Sequence, residues 1–243
     1  MSLPVRQPSL DAAFETPDSK RRYVRRLFGT IAARYDLITR LLSFGQDQRW
    51  KRRLLGLADV GDGTRVLDLA CGTGDLSALA ALRGARVIGV DFALPMLERA
   101  RAKPTARAVR WLAGDIGGLP IATAAFDVVT VGYGLRNAAE IAPALAEIRR
   151  VLRSGGRLAA LDFDRPAAPW FRRVYLGYLT VVGATLGWAL HRDPDTYRYI
   201  PASIRRYPGA GGVAALMRDV GFDDVRHVPV LGGLMAIHIA RKP

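Results

Sequence analysis

From residue 64 onward the chain alternates between short apolar, β-branched runs and longer segments whose apolar residues recur at helical spacing. The short runs predict strands at 64–70, 85–91, 108–114, 126–134 and 155–163. The intervening segments predict helices at 75–83, 94–102 and 137–153. Repeated strand–helix units with apolar strands favour a parallel sheet covered on both faces, so we predict a doubly wound α/β fold.

The pattern changes on both sides of this alternating region. Two helices are predicted over 20–57, ahead of the first strand, and residues 167–207 look helical after the fifth. A further helix and two strands are predicted at 211–222, 223–231 and 233–242. Gly232 and Gly233 suit a tight turn between the last two strands, which predicts an antiparallel hairpin.

These elements add up to a mostly parallel, Rossmann-like sheet of seven strands with an antiparallel C-terminal hairpin. We expect one domain over 20–243, with a helical N-terminal extension at 20–57 and a helical insertion at 167–207. Both helical parts are expected to cap the carboxyl ends of the strands, where such sheets bind ligands. Residues 1–19 are polar and lack secretory-signal character, so a flexible tail is expected there.

The charge balance indicates which classes of partner the protein could bind. The formal net charge is +14, and residues 1–53 contain 12 Lys/Arg against 5 Asp/Glu. Such a balance favours a polyanion, either nucleic acid or an anionic membrane surface, although a solvated basic helix face explains it equally well. The single cysteine, Cys71, fits a reducing cytoplasm. We expect a cytoplasmic protein that can contact the inner membrane face.

The most apolar stretch is Val174–Leu190. Its 17 residues are at the short limit for a membrane span, and they include three glycines and two threonines. The sequence therefore predicts a buried helix or the wall of a hydrophobic pocket rather than a transmembrane helix.

A glycine-rich turn follows the first predicted strand. Small residues that include Gly72, Thr73 and Gly74 let backbone N–H groups approach a ligand closely. Their spacing differs from the G-x-G-x-x-G pattern of dehydrogenases, which argues against a nicotinamide oxidoreductase. With Asp68 on the strand, the turn resembles the first motif of S-adenosylmethionine (SAM)-dependent methyltransferases.

Two acidic residues end the next strands. Asp91 lies 17 residues beyond Gly74, near the ~20-residue offset expected for a carboxylate that accepts hydrogen bonds from a ribose diol. Asp115 and Ile116 follow the third strand and suit an adenine amine and ring. The three histidines are isolated and no cysteine cluster exists, so no metal site is expected; His238 is the best catalytic candidate among them.

Longer motifs resemble one family, the quinone C-methyltransferases of ubiquinone and menaquinone biosynthesis. The similar segments are "FGTIAARYDLITRLLSFGQDQRWKR", "VLDLACGTGDL", "GVDFALPMLERAR", "VTVGYGLRNAAE", "RVLRSGGRLAALDF", "DTYRYIPASIRRYP" and "LMRDVGF". The resemblance implies a class I methyltransferase fold and SAM-dependent methylation of a ring carbon in a polyprenylated benzoquinol or naphthoquinol.

The resemblance also implies roles for individual residues. The cofactor would be held by Asp68, Gly72, Thr73, Gly74, Asp91, Phe92, Asp115, Ile116 and Gly132. Gly132 stands where the family often has serine. Asp162 and Asp164 replace the usual glutamate and serine, and Ile239–Ala240 replaces a common arginine–glycine pair.

Ring-carbon methylation requires stabilisation of a developing phenolate. Arg136 is the predicted cation for this, since a guanidinium stays protonated and is a poor general base. Asn137 either orients the quinol hydroxyl or caps the following helix. Tyr197 completes the predicted catalytic set, and Tyr35, Tyr133 and Tyr199 are further candidates for either a pocket wall or ordinary core packing.

The predicted substrate is a prenylated quinol whose tail contacts the 174–190 segment. The basic N-terminal helix is expected to hold the enzyme at an anionic membrane surface. A homo-oligomer is left open. A small-molecule O- or N-methyltransferase and a non-catalytic binding protein remain alternatives. A nucleic-acid methyltransferase is disfavoured, because "GYGLRN" occupies the place of the [DN]-P-P-[YF] motif.

Overall fold

Seven strands form a single sheet in the computed structural model, which describes residues 10–166, 168–193 and 196–243. The strands are β1 Arg65–Leu69, β2 Arg86–Asp91, β3 Val109–Ala113, β4 Phe126–Gly132, β5 Leu152–Phe163, β6 Asp223–Val230 and β7 Met235–Arg241. Their order is β3-β2-β1-β4-β5-β7-β6, and only β7 runs antiparallel to its neighbours. The predicted α/β fold and C-terminal hairpin are therefore confirmed.

Helices cover both faces of the sheet. The described α-helices are α1 Pro17–Ile31, α2 Tyr35–Leu42, α3 Asp47–Leu57, α4 Asp75–Ala81, α5 Leu94–Arg101, α6 Ile141–Val151, α7 Pro169–His191, α8 Tyr199–Arg206 and α9 Gly209–Asp219. Helices α3 and α4 pack with Val66 of β1 in one cluster. Helices α6 and α9 pack with Leu67 and Leu69 in another. Alternate residues of β1 thus face opposite layers, which is why both faces of the strand carry buried apolar residues.

The N-terminal region is more ordered than predicted. The Thr16 side chain accepts from the backbone of Ser19 and the Ser19 side chain from that of Thr16, and this capping box starts α1. Ala13 is buried, and the ring of Phe14 stacks on Tyr199 with centroids 5.6 Å apart. The prediction of a flexible tail is therefore wrong for residues 10–19, and its first nine residues lie outside the described part. The extension contains α1, α2 and α3 rather than two helices.

The apolar segment 174–190 lies inside α7, the described helix that is long and apolar enough to cross a membrane by length and composition. Tyr175, Leu176 and Leu179 pack with Ile204 of α8. Most of the helix nevertheless faces outward, because only 22% of its most apolar window is buried. The prediction of a buried helix is wrong for this outer face.

Two boundaries near the fourth strand also differ from the prediction. The predicted helix 137–153 is a 3₁₀ turn at Leu135–Asn137 followed by α6, whose N-cap residue is Glu140. Strand β5 starts at Leu152 and pairs with Phe126 before its register shifts. At the other end of β4, the Tyr133 N–H still donates to the Leu161 carbonyl of β5 at 2.7 Å, and the chain then leaves the sheet edge as a tip that contains the 3₁₀ turn.

The turn between β1 and α4 requires glycine at position 74. Gly74 has φ +81°, and a Cβ there would lie 2.4 Å from Cη2 of Trp111. We expect Gly74→Ala to lower the free energy of unfolding by about 3 kcal/mol in urea denaturation. Gly177→Ala is the control, because its Cβ would enter open space on α7, and it should stabilise the protein by about 0.5–1 kcal/mol. Equal stability of Gly74→Ala and the wild type would contradict the packing described.

Candidate functional site

Two adjoining cavities lie at the carboxyl edge of the sheet, where the strand order reverses between β1 and β4. The loops after these two strands touch, since a Cβ on Gly134 would lie 2.5 Å from Cβ of Ala70. The empty space of the first cavity, with its opening to solvent included, is about 630 Å³, and that of the second is about 700 Å³. Helices α1 and α2 contribute to both, so the N-terminal extension completes the site.

Asp91 is the central polar group of the first cavity. Its carboxylate accepts hydrogen bonds from the backbone N–H of Gly72 at 2.8 Å and of Ala93 at 2.9 Å. Burial raises the pKa of Asp91, and the backbone N–H groups oppose that shift. Gly72 and Phe92, two of the residues for which the resemblance implies cofactor contact, also line this cavity. The glycine turn and the second strand are thus joined through one carboxylate.

Asp115 and Ile116 line the other end of the first cavity. The Asp115 carboxylate accepts from the backbone N–H of Gly117 at 2.8 Å and pairs with Nε of Arg21 at 2.8 Å. Arg21 and Phe28, both on α1, are wall residues that sequence reasoning missed. The charge pattern of Lys20–Arg26, which contains Arg21, predicts a surface that binds a polyanion or is solvated, and gives no sign of a cavity wall.

Three predicted cofactor residues are not cavity-lining side chains. Both oxygens of Asp68 are occupied inside the protein, by the hydroxyls of Ser77 at 2.5 Å and Thr130 at 2.8 Å. Burial raises the pKa of Asp68 to about 6. The Thr73 hydroxyl donates to Asp36 of α2.

The third of these residues is Gly74, whose missing side chain leaves space for the ring of Trp111 against the turn. Asp68, Thr73 and Gly74 therefore shape the glycine turn, and their direct contact with the cofactor stays a prediction. Gly132 does line the first cavity, and a Cβ there would lie 3.4 Å from Cδ2 of Leu76, so a serine-sized side chain fits.

The second cavity is mainly apolar. Its walls are Leu27, Phe28, Ile31, Tyr35, Ile38, Thr39, Leu42, Ser43, Trp50, Tyr133, Arg136, Asn137, Phe163, Thr196, Tyr197, Tyr199, Ile200 and Met235. Helices α1 and α2 provide most of its aliphatic residues, and α8 with the residues just before it closes another side. No described residue of α7 lines this cavity, so the predicted pocket wall at 174–190 is not found there.

Four side chains separate the two cavities: Phe28, Tyr35, Tyr133 and Asn137 line both. Tyr133 has φ +60°, which turns the chain after β4 so that its ring reaches this wall. The Tyr133 hydroxyl and Oδ1 of Asn137 are buried without a hydrogen-bond partner. Such orphan groups are costly, so they point to a ligand that satisfies them.

Asn137 is not a helix cap, which removes one of its two predicted roles. Its Nδ2 donates to the backbone carbonyl of Tyr133 at 2.8 Å, and Glu140 caps α6 instead. Burial raises the pKa of the Tyr133 hydroxyl, and the nearby Asp47 raises it further. Tyr133 is therefore a neutral donor at the junction.

Arg136 is not the free cation that the sequence suggested. Its backbone N–H and Nε donate to the Asp162 carboxylate at 3.0 and 3.2 Å, and Nη1 donates to the Ser203 hydroxyl of α8. The guanidinium also lies over the ring of Phe163, 5.0 Å from its centroid. Arg136 lines the second cavity as one half of a buried ion pair, so its charge is already compensated.

Lys20 ties α1 to the same turn. Its Nζ donates to the backbone carbonyls of Arg136 at 3.2 Å and Ala138 at 2.5 Å. Burial lowers the pKa of Lys20 to about 8, and the nearby Arg136 lowers it further, while Asp162 opposes the shift. Lys20 is thus a structural link over the site rather than part of an exposed basic surface.

His191, rather than the predicted candidate His238, is the histidine linked to the site. His238 is buried on β7 with Nε2 3.0 Å from the carbonyl of Ala210, away from both cavities. Nε2 of His191 lies 2.9 Å from the hydroxyl of Tyr197, which lines the second cavity. Among the described residues, no group of three or more His, Cys, Asp or Glu side chains is arranged to hold a metal.

Comparison with known proteins gives a family match over nearly the whole chain. A model described as the ubiE/COQ5 methyltransferase family matches residues 16–242. A demethylmenaquinone methyltransferase from Thermus thermophilus is 44% identical, with 89% of this chain and 100% of that protein covered. A ubiquinone/menaquinone biosynthesis C-methyltransferase from Rubrivivax gelatinosus is 38% identical, with 94% and 91% covered.

Solved structures share the fold. A SAM-dependent methyltransferase from Thermotoga maritima has a TM-score of 0.63 at 20% identity, with 90% of this chain and 100% of that chain covered. Another from Aquifex aeolicus has a TM-score of 0.57 at 17% identity, with 78% and 88% covered. These likenesses confirm the class I methyltransferase architecture.

The buried ion pair makes a stability prediction. We expect Asp162→Asn to lower the free energy of unfolding by about 3 kcal/mol, because the Arg136 guanidinium would stay buried without a counter-charge. Urea denaturation measures this. Asp59→Asn is the matched control: it removes one carboxylate of the exposed Arg157–Asp59 pair and should leave stability almost unchanged. A loss no larger than that of the control would contradict the pairing.

Proposed function

We propose that this chain, which belongs to the ubiE/COQ5 methyltransferase family, transfers a methyl group from SAM to a ring carbon of a polyprenylated benzoquinol or naphthoquinol. The observation that carries the proposal is the junction, at Tyr133 and Asn137, of a cavity that contains the Asp91 and Asp115 carboxylates with a second, more apolar cavity. The arrangement suits a polar nucleoside on one side and an aromatic ring with a hydrocarbon tail on the other.

In the first cavity, the buried Asp91 carboxylate is suited to accept hydrogen bonds from a ribose diol. Asp115 is placed to accept from the adenine amine, with Ile116 and Phe92 against the ring. Arg21 neutralises part of the Asp115 charge and closes this end with α1. The cofactor supplies an electrophilic methyl group when bound, and these residues orient it.

In the second cavity, the quinol ring would lie against Tyr133 and Asn137, with the prenyl tail along Leu27, Ile31 and Ile38. Oδ1 of Asn137 is placed to accept from a quinol hydroxyl. We expect the Tyr133 hydroxyl to donate to the phenolate oxygen that forms when the quinol hydroxyl loses its proton, which activates the ring carbon for attack on the methyl group; the ring carbon loses its own proton after the transfer, which restores the aromatic ring. We therefore assign the main contact with the phenolate to Tyr133 rather than to Arg136.

Arg136 and Tyr197 retain roles in the wall of this cavity. The Arg136–Asp162 pair positions the tip that carries Asn137, while the cation still contributes to the local potential. The Tyr197 hydroxyl, bonded to His191, is a second group within reach of a bound ring. We expect it to help orient the quinol.

The substrate would reside in a bilayer, so the enzyme is proposed to act at the cytoplasmic membrane surface as a peripheral protein. The net charge of +14 supports attraction to anionic lipid.

The proposed reaction is tested by expression in a host that lacks quinone C-methylation. Mass spectrometry of the extracted quinones should show a restored methylated benzoquinone or naphthoquinone. Absence of both products, with soluble protein that still binds S-adenosylhomocysteine, would reject the quinol assignment. Methylation of only tail-less phenols or amines would favour the small-molecule O- or N-methyltransferase instead.

Asp91→Asn should weaken binding of S-adenosylhomocysteine about 10–100-fold, because one charged acceptor is lost while the fold is kept. Isothermal titration calorimetry measures the change. Asp127→Asn, at the amino end of β4 and paired with Arg65, is the control and should bind normally. If both variants bind as the wild type does, Asp91 is not a cofactor ligand.

Tyr133→Phe should lower kcat for a prenylated quinol about 100-fold while cofactor affinity stays unchanged, because only the phenolate donor is removed. Tyr207→Phe is the matched control: it also removes a buried hydroxyl without a partner, but Tyr207 lines neither cavity. Equal turnover of the two variants would show that Tyr133 contributes only packing.

A further inference from the structure

The outer side of α7 carries a continuous apolar stripe. Its exposed members follow helical spacing and are Trp170, Val174, Tyr178, Val181 and Trp188. Trp170 and Trp188 are 70% and 66% exposed, and Val181 is 67% exposed. Large apolar side chains that share one exposed face mark an interaction surface.

Helix α2 and the turn after it extend this stripe. Leu37, Leu41 and Phe44 are exposed, and the ring of Phe44 stacks on Tyr178 with centroids 6.4 Å apart. We call the eight residues from α7, α2 and the turn the apolar face.

Basic side chains predominate around the apolar face, where the acidic neighbours are Asp36 of α2, which pairs with Lys103, and Asp193 after α7, which accepts from the Thr196 hydroxyl. Helix α7 contains no Asp or Glu, and Arg173 and Arg192 are exposed at its two ends. Arg34 and Arg40 are exposed beside Leu37 and Leu41. Apolar side chains rimmed by arginine complement an anionic lipid monolayer, where each basic group near the surface adds to the attraction.

The packing of α7 favours a helix that lies on a membrane over one that crosses it. Its inner side is held by α8 through Tyr175 and Leu179, and a Cβ on Gly183 would lie 3.2 Å from Cβ of Tyr197. A spanning orientation would strip these contacts away. An in-plane orientation keeps them and places Trp170 and Trp188, about 27 Å apart along the helix, at the interface that tryptophan prefers.

We propose that the apolar face inserts shallowly into an anionic lipid monolayer, with α7 lying parallel to the membrane plane. The face adjoins the second cavity, because Ile38 and Leu42 on the inner side of α2 line that cavity. Resting on the proposed quinol substrate, this placement lets the ring enter the second cavity while the prenyl tail remains close to the bilayer. It assigns membrane contact to α7 and α2 rather than to the basic α1 helix.

The experiment is flotation with vesicles of phosphatidylcholine and about one-third phosphatidylglycerol, without SAM or quinol. The wild type should float with these vesicles and much less with pure phosphatidylcholine. The double variant Val181→Glu/Trp188→Glu should reduce vesicle binding roughly tenfold or more. Leu82→Glu is the matched control, since Leu82 is 74% exposed at the end of α4, outside the apolar face, and it should float as the wild type does.

The double variant should keep the circular dichroism spectrum of the wild type, which excludes misfolding as the cause of lost vesicle binding. It should also keep the wild-type turnover of a short-tailed quinol, which separates membrane binding from the proposed reaction. Failure of turnover with intact flotation would reject the reaction alone. Absence of wild-type flotation, or undiminished flotation of the double variant, would overturn the inference. So would a wild-type dimer in analytical ultracentrifugation that Val181→Glu dissociates, because the face would then cover a second copy of the chain.

Discussion

The buried Arg136–Asp162 ion pair connects the parts of the molecule that surround the site. Arg136 stands on the tip after β4, Asp162 near the end of β5, and Ser203 on α8 accepts from the same guanidinium. The carbonyl of Arg136 also accepts from Lys20 of α1. Because separating these charges inside the protein is costly, the tip, the insertion and the N-terminal extension are held together.

This constraint explains why the site is divided into two cavities. The tip places Tyr133 and Asn137 between the two cavities, and residues of α1 and α2 line both cavities. The sheet supplies Asp91 and Asp115 near its strand ends, and the helical additions supply most walls of the second cavity. The chain is a SAM-dependent methyltransferase by family and fold, and we propose that its helical additions adapt that fold to a quinol with a hydrocarbon tail.

Local sequence patterns predicted the strands, the glycine turn and the carboxylates at positions 91 and 115, because strand ends and turns have short-range signatures. The same patterns could not show that Asp68 points into the interior toward Thr130, a contact between residues far apart in the chain. They also could not show that Asp162 neutralises Arg136, or that the apolar α7 faces outward. Each depends on which neighbour tertiary packing brings to the side chain.

We propose that the junction at Tyr133 and Asn137 directs methyl transfer to carbon. A single turnover with SAM labelled with ¹³C in its methyl group and a prenylated quinol, followed by NMR of the product, tests this most directly. All transferred label should appear as a methyl group bonded to a ring carbon. Label in a methoxy group, or no transfer to the quinol by enzyme that binds the cofactor, would contradict it.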